Sequence, residues 1–189
     1  MTQVFNAGLV PVVKIEDASK APRLGATLSG AGLKVVEITF RTACAEDAIK
    51  RMIDACPDLV VGAGTVVNPE LARKAIDAGA RFIVSPGLSR ATVEYCLERG
   101  VPILPGINDP SMIEAGLALG LEVFKFFPAE ASGGIAMLDA LAAPFGTVKF
   151  MPTGGIDLSN VGRYAAHPSV LAAGGSWLVK PDLIESEQW

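Results

Sequence analysis

Aromatic residues are scarce in this chain, at 6% of 189 residues, although half of the chain is hydrophobic. Ala, Val, Ile, Leu and Gly must therefore fill the interior, as they do in α/β proteins built on a parallel sheet. Only three cysteines occur, Cys44, Cys56 and Cys96, and none forms a CxxC pair. That spacing excludes a disulfide framework and a cysteine metal knuckle, and it fits reduced thiols in a cytoplasmic protein. The one histidine, His167, precedes Pro168 in an expected loop. A multi-histidine metal site is thus ruled out, a Ser-His-Asp triad has no support, and no metal is expected. No apolar run approaches the ~20 residues that span a bilayer. The N-terminal residues lack the basic stretch and apolar segment of an export signal. With net charge -4 and no block of Lys or Arg, neither nucleic acid nor an anionic membrane is an expected partner.

What the chain does have is a repeat of short β-branched runs. They are Leu9–Val13, Lys34–Thr39, Leu59–Ala63, Arg81–Ser85, Pro102–Pro105, Glu122–Phe126, Val148–Met151 and Val170–Ala173, starting 20 to 26 residues apart. That interval is the length of a compact βα unit. Helix-start signals lie between them: Asn68-Pro69-Glu70, Asp109-Pro110, and Asp157 or Ser159 before a helix near Val161–Ala166. Gly32, Gly79, Gly100 and Gly120 read as helix stops. Eight such units predict one α/β domain spanning residues 1–189, a (β/α)8 TIM barrel, with a doubly wound sheet as the alternative. Only 13 residues follow Ser176, so the final helix is expected to be short or truncated.

Lys125 stands inside the apolar run Phe124-Lys125-Phe126-Phe127-Pro128. Lysine is seldom fully buried without a partner. Burial disfavours an ammonium ion, and the neutral amine is a nucleophile able to form a Schiff base. A lysine snorkelling from an edge strand is the alternative. Strand alternation offers it company. In the run Val35 to Arg41, one face carries Val36, Ile38 and Phe40, which should meet helices. The other carries Val35, Glu37, Thr39 and Arg41, which then point inward. An internal Glu37–Arg41 ion pair is the structural alternative to a functional role. Lys125 and Phe127 share one side of their strand, Phe124 and Phe126 the other. Active sites of this fold lie at the C-terminal ends of the strands, where Thr65 and Thr153 also fall. Two glycine pairs, Gly154-Gly155 and Gly174-Gly175, follow the last two expected strands, with Ser176 after the second. At those places glycine loops commonly cradle phosphate through backbone N–H groups and a helix N-terminus.

The segments Val36-Glu37-Ile38-Thr39-Phe40-Arg41-Thr42, Gly62-Ala63-Gly64-Thr65, Ser85-Pro86-Gly87, Lys125-Phe126-Phe127-Pro128-Ala129-Glu130, Pro152-Thr153-Gly154-Gly155 and Gly174-Gly175-Ser176-Trp177 occur in this order. Together they resemble the KDPG/KHG aldolase family of class I pyruvate aldolases, from about Val10 to Leu183. The resemblance implies a lyase of carbohydrate metabolism, in the Entner-Doudoroff pathway. Its reaction would cleave 2-keto-3-deoxy-6-phosphogluconate (KDPG) to pyruvate and glyceraldehyde 3-phosphate. Sister activities act on 4-hydroxy-2-oxoglutarate (KHG) or on the galactonate epimer, and a trimeric assembly scaffold is a reading of another class. Lys125 matches the Schiff-base lysine and Glu37 the general acid/base, working through a bound water. Arg41 and Thr65 match the residues holding the pyruvate carboxylate, and Pro86 lines that pocket. Thr153 matches a residue that influences stereochemistry. Gly154, Gly155, Gly174, Gly175 and Ser176 match the phosphate site. No cofactor is implied beyond the covalent Schiff base, and the implied partners are a 2-keto acid, phosphorylated, and two further copies of the chain in a homotrimer.

The chain departs from the family pattern at Asn108-Asp109-Pro110-Ser111-Met112, where Thr more often precedes Pro-Ser-Glu. Asp109 still suits a helix cap, but an added carboxylate near the mouth would disfavour an anionic substrate. The N-terminal helix reads as shortened to Thr2–Ala7. Lys14, inward by parity with Val10 and Val12, and Lys149, at a strand start, are the other lysines weighed for chemistry.

Overall fold

In the computed structural model, which describes residues 8–188, the chain alternates parallel strands with helices on an α/β plan. The expected helix Thr2–Ala7 lies outside the described residues. Strand β1 (Gly8–Val13) leads through a 3-10 turn, Ala18–Lys20, into α1 (Ala21–Gly30). Then come β2 (Val35–Thr39), α2 (Ala45–Ala55), β3 (Val60–Gly64), α3 (Pro69–Asp77), β4 (Ile83–Val84) and α4 (Arg90–Glu98). The second half holds β5 (Ile103–Leu104), β6 (Gly106–Ile107), α5 (Pro110–Ala118), β7 (Val123–Phe126) and α6 (Gly134–Ala142). It ends with β8 (Lys149–Pro152), α7 (Val161–Ala165), β9 (Ala172–Gly175) and α8 (Pro181–Ser186).

Six strands form a curled sheet in the order β5-β4-β3-β2-β1-β9, and β6-β7-β8 form a second. Every pairing between these strands is parallel. Consecutive strands stay neighbours from β5 to β1 with no reversal of order, so the doubly wound alternative, which needs a switch point, does not form. Isolated parallel bridges, Phe150–Val170 and Thr153–Gly174, link β8 to the strand that follows it.

The expected fifth strand is two short pieces because Pro105 has no N–H to donate to a ladder. Its carbonyl is still used, accepting the Lys125 N–H at 3.0 Å. The expected eighth strand runs later than its β-branched residues suggest. Val170 makes only a bridge, and the strand proper includes Gly174 and Gly175. These two glycines are therefore strand residues rather than a loop. A Cβ on Gly174 would meet the Thr153 hydroxyl at 2.6 Å, and one on Gly175 would meet the Trp177 ring at 1.5 Å.

Two apolar cores lie on opposite sheet faces. Val36, Ile38, Val61, Ala63, Phe124 and Phe126 join the large core against the helices, with Phe40 packed at its edge. Val10, Val35, Phe82, Val84, Leu104 and Met151 form a smaller core inside the curl. The alternation expected in β2 and β7 is thus the one adopted. Gly62 leaves the space inside the curl that the Phe82 ring fills, since a Cβ there would lie 2.3 Å from it.

Helix starts follow the local chemistry. Asn68 accepts from Leu71 N–H at 2.9 Å, and Asp109 from Met112 N–H at 3.0 Å, each before a proline in the first turn. Asp157 and Ser159 do not cap α7; Asn160 precedes it. Asp157 instead accepts from the Ser159 backbone and hydroxyl, which lowers its pKa. The last helix, α8, is short, with six residues. Its Ile184 is buried, and Glu185 and Glu187 pair with Lys20 and Arg23 beside α1. No helix among the described residues is long and apolar enough to cross a membrane.

Candidate active site

A cavity of about 380 Å³ opens where the strands end. β1 contributes Val12, with Lys14 just beyond it, and β2 contributes Glu37 and Thr39, with Arg41 just beyond it. Thr65 follows β3 and Pro86 follows β4; Lys125 comes from β7 and Phe127 follows it. Thr153, Gly154 and Gly155 follow β8 onto the wall, and Gly175 with Ser176 completes it beside β1. Ten of the eleven sequence-predicted site residues thus meet around one space. Gly174 does not line it; its place is in the strand against Val10, facing Thr153. Sequence reasoning gave no role to Ile156, Val179 or Pro181, which also line the cavity.

The floor carries the charge. Glu37 is fully buried and Lys125 is 6% exposed. Lys125 Nζ lies 3.8 Å from Glu37 Oε1, so Glu37 faces Lys125 rather than Arg41, and the alternative Glu37–Arg41 pair is not formed. Both Glu37 oxygens and Thr153 Oγ1 are buried with no hydrogen-bond partner among the described residues. Burial pushes the Glu37 carboxyl above its ordinary range, and the Lys125 charge only partly opposes this. Gly64 makes room for that carboxyl: a Cβ there would stand 1.9 Å from Glu37 Oε1. The Phe127 ring centre is 4.9 Å from Lys125 Nζ.

The rest of the floor is structural or strained. Thr39 Oγ1 donates to the Val13 carbonyl at 2.9 Å, tying β2 to β1. Thr65 has φ +59°, a left-handed conformation costly for a β-branched residue and typical of functional sites. Lys14, on the cavity wall, pairs with Glu16 at 2.6 Å, whereas Lys149 donates to the Pro168 carbonyl, away from the cavity. The Asp109 carboxylate caps α5 and does not line the cavity. The three thiols are unpaired, and burial pushes Cys96 up to about 11. Among the described residues no three His, Cys, Asp or Glu side chains gather where a metal ion could be held.

A pairing of a buried amine with a buried carboxyl, beside a guanidinium and glycine-rich backbone, can form an imine and move protons next to it. Residues 2–189 match the family model for KDPG and KHG aldolases. The 2-dehydro-3-deoxy-phosphogluconate aldolase of Treponema pallidum is 49% identical over 183 residues, covering 95% of this chain and 87% of that one. The crystal structure of KDPG aldolase from Legionella pneumophila, with pyruvate captured as a covalent carbinolamine, superposes with TM-score 0.97 at 39% identity. It covers all of this chain and 93% of its own. The Zymomonas mobilis aldolase, solved with 3-phosphoglycerate, gives TM-score 0.92 at 41% identity, with coverage of 98% and 91%.

Proposed function

Because this chain belongs to the KDPG and KHG aldolase family, we propose that it is a class I aldolase cleaving KDPG to pyruvate and glyceraldehyde 3-phosphate. The observation that carries this is the buried Lys125–Glu37 pair, 3.8 Å apart, on the floor of a cavity with Arg41 on its wall. The covalent pyruvate of the Legionella relative supports an imine route that needs no external cofactor.

The amine of Lys125, unprotonated, attacks the C2 ketone, and loss of water gives an iminium ion. That cation accepts the electron pair when the C3–C4 bond breaks. Glu37, acting through a water, takes the proton of the C4 hydroxyl, and the aldehyde leaves. The enamine then recovers a proton at C3 from Glu37, and water releases pyruvate and regenerates the amine. A carboxyl whose pKa is raised suits both directions of that transfer. Arg41 offers a planar fork to the substrate carboxylate, Thr65 and Pro86 bound the same end, and the Thr153 hydroxyl faces the hydroxyl-bearing carbon. Gly154, Gly155, Gly175 and Ser176 would hold the phosphate by backbone N–H groups, a reading supported by the 3-phosphoglycerate in the Zymomonas relative.

The strands are read as one closed (β/α)8 barrel and one domain. The bridges from β8 to β9, and the single proline between β5 and β6, support closure of the ring. Following the family resemblance, the chain is read as a cytoplasmic protein that assembles as a homotrimer; sedimentation of the purified chain would check the trimer.

Borohydride reduction with pyruvate, followed by peptide mass mapping, tests the chemistry. A reduced pyruvoyl adduct on Lys125 is expected; an adduct elsewhere, or none, overturns the mechanism. Turnover of KDPG against KHG tests the substrate, and equal efficiency would reduce the Gly154-Gly155 loop to a turn and leave Gly175 and Ser176 without a phosphate role.

A further inference from the structure

Glu130 closes the motif that begins at Lys125, yet the chemistry above gives it no part. Its backbone and side chain both grip the glycine loop after β8. Ala129 N–H donates to the Thr153 carbonyl at 2.8 Å, and Glu130 N–H to the Gly154 carbonyl at 3.1 Å. The third carbonyl, Gly155, accepts from the buried Asn160 side chain at 2.8 Å. In a trans peptide the N–H points opposite to its own C=O. With three successive carbonyls engaged by Ala129, Glu130 and Asn160, the N–H groups of Gly154, Gly155 and Ile156 are each turned away from those partners. All three of these residues line the cavity. Gly154 and Gly155 hold φ values of +97° and +77°, which such a chain of peptide orientations requires and other residues rarely adopt.

The side chain of Glu130 fixes this arrangement from behind. Its Cβ would be 2.7 Å from a Cβ on Gly155, so the loop lies flat against it. Its carboxylate accepts a hydrogen bond from the hydroxyl of Tyr164, a fully buried residue on α7, the helix reached from the same loop. Asn160 is also tied to the loop's far end, accepting from Asp157 N–H at 2.9 Å. The β7 end, the loop and α7 are thereby closed into one circuit around the glycines.

We propose that Glu130, Tyr164 and Asn160 are positioning residues: they brace the Gly154–Ile156 backbone so that its N–H groups hold the substrate phosphate, and they set the preference for phosphorylated 2-keto acids. The proposal rests on the phosphate reading of the glycine loop given above. Among the described residues no hydrogen bond or ion pair joins any of the three to Lys125, so imine formation with pyruvate should not depend on them.

The test compares kcat and KM for KDPG and for its unphosphorylated analogue, inhibition by inorganic phosphate, and borohydride trapping of pyruvate. Tyr164→Phe removes the hydrogen bond but keeps the ring, and Asn160→Ala releases the Gly155 carbonyl. Each should raise the KM for KDPG and weaken phosphate inhibition by about tenfold, the size of one lost hydrogen bond in a preorganised site. KM for the analogue and the trapping yield should stay as in the wild type. Glu130→Gln still accepts from Tyr164 and should behave as the wild type, while Glu130→Ala should resemble Tyr164→Phe. If both substrates suffer alike, or neither does, the brace is refuted. If the wild type itself ignores the phosphate group and is not inhibited by phosphate, the glycine-loop reading fails first, a result distinct from failure of the brace.

Discussion

Lys125 Nζ and Glu37 Oε1 face each other at 3.8 Å inside the curl of the sheet, and neither Glu37 oxygen has a hydrogen-bond partner among the described residues. A buried carboxyl without donors is costly as structure and useful as a proton carrier. Replacing it by its isosteric amide separates the two roles of the pair. Glu37→Gln should still give the borohydride-trapped adduct with pyruvate, because Lys125 is untouched. Turnover of KDPG should fall by about 10²–10⁴, the usual worth of positioned acid/base help. Full turnover would remove Glu37 from the mechanism.

The same carboxyl should leave a mark on stability. Burial raises its folded pKa above the unfolded value, the Lys125 charge offsetting only part of the rise. The folded state then holds the proton more tightly, so stability is fully present below the ordinary glutamate range and falls as pH climbs through the raised value. Glu37→Gln cannot lose a proton there. Melting curves of the two proteins should therefore diverge in favour of the variant as pH rises from about 4, the ordinary carboxylate range, towards neutrality. A gap that stays constant with pH would contradict the raised pKa.

Strand parity made both members of this pair legible in the sequence, since alternation placed Glu37 and Lys125 opposite the helix-facing Val36, Ile38, Phe124 and Phe126. The partner of Glu37 was less legible: alternation turns Arg41 inward on the same strand, so it was as eligible a partner as Lys125 on a strand distant in sequence. Gly174 and Gly175 misled for a related reason. Glycine signals a turn by composition, but here it marks strand positions where Thr153 and Trp177 take up the space of a Cβ. Pro105 likewise split a strand that its neighbours predict as continuous. Asp109, suspected of charging the mouth, is held by the α5 backbone as a cap. The loop brace at Glu130 and Tyr164 joins residues 34 apart, a contact that no local pattern encodes.

Gly64 gives a steric test of how closely Glu37 is held. An alanine Cβ would fall 1.9 Å from Oε1 and 2.6 Å from Cδ, and the fully buried Glu37 has little room to retreat. Gly64→Ala should cost about 1–3 kcal/mol as an overpacked core does, and turnover should drop towards that of Glu37→Gln. In a Glu37→Ala background the clash partner is gone, so adding Gly64→Ala should cost little more. Chemical denaturation of the four proteins in that cycle measures the coupling; additive losses would mean that the methyl group clashes with something else.

Thr65 carries a conformational cost that its site has to repay. At φ +59° its β-branched side chain sits in the left-handed region on the cavity wall, a strain of about 1–3 kcal/mol. Glycine adopts that conformation freely but loses about 0.5–1 kcal/mol of backbone entropy on folding. Relief of the strain matches or outweighs that loss, so Thr65→Gly should be at least as stable as the wild type, by up to about 2 kcal/mol. Thr65→Val keeps the strain and removes only the hydroxyl, so it should gain nothing in stability. Both variants should raise the KM for KDPG, by about tenfold for one lost hydrogen bond to the carboxylate end. Urea denaturation paired with steady-state kinetics makes the comparison. A Thr65→Gly protein that is strongly destabilised yet binds substrate normally would show that the threonine is there for packing, and that its unusual backbone serves the fold rather than the substrate.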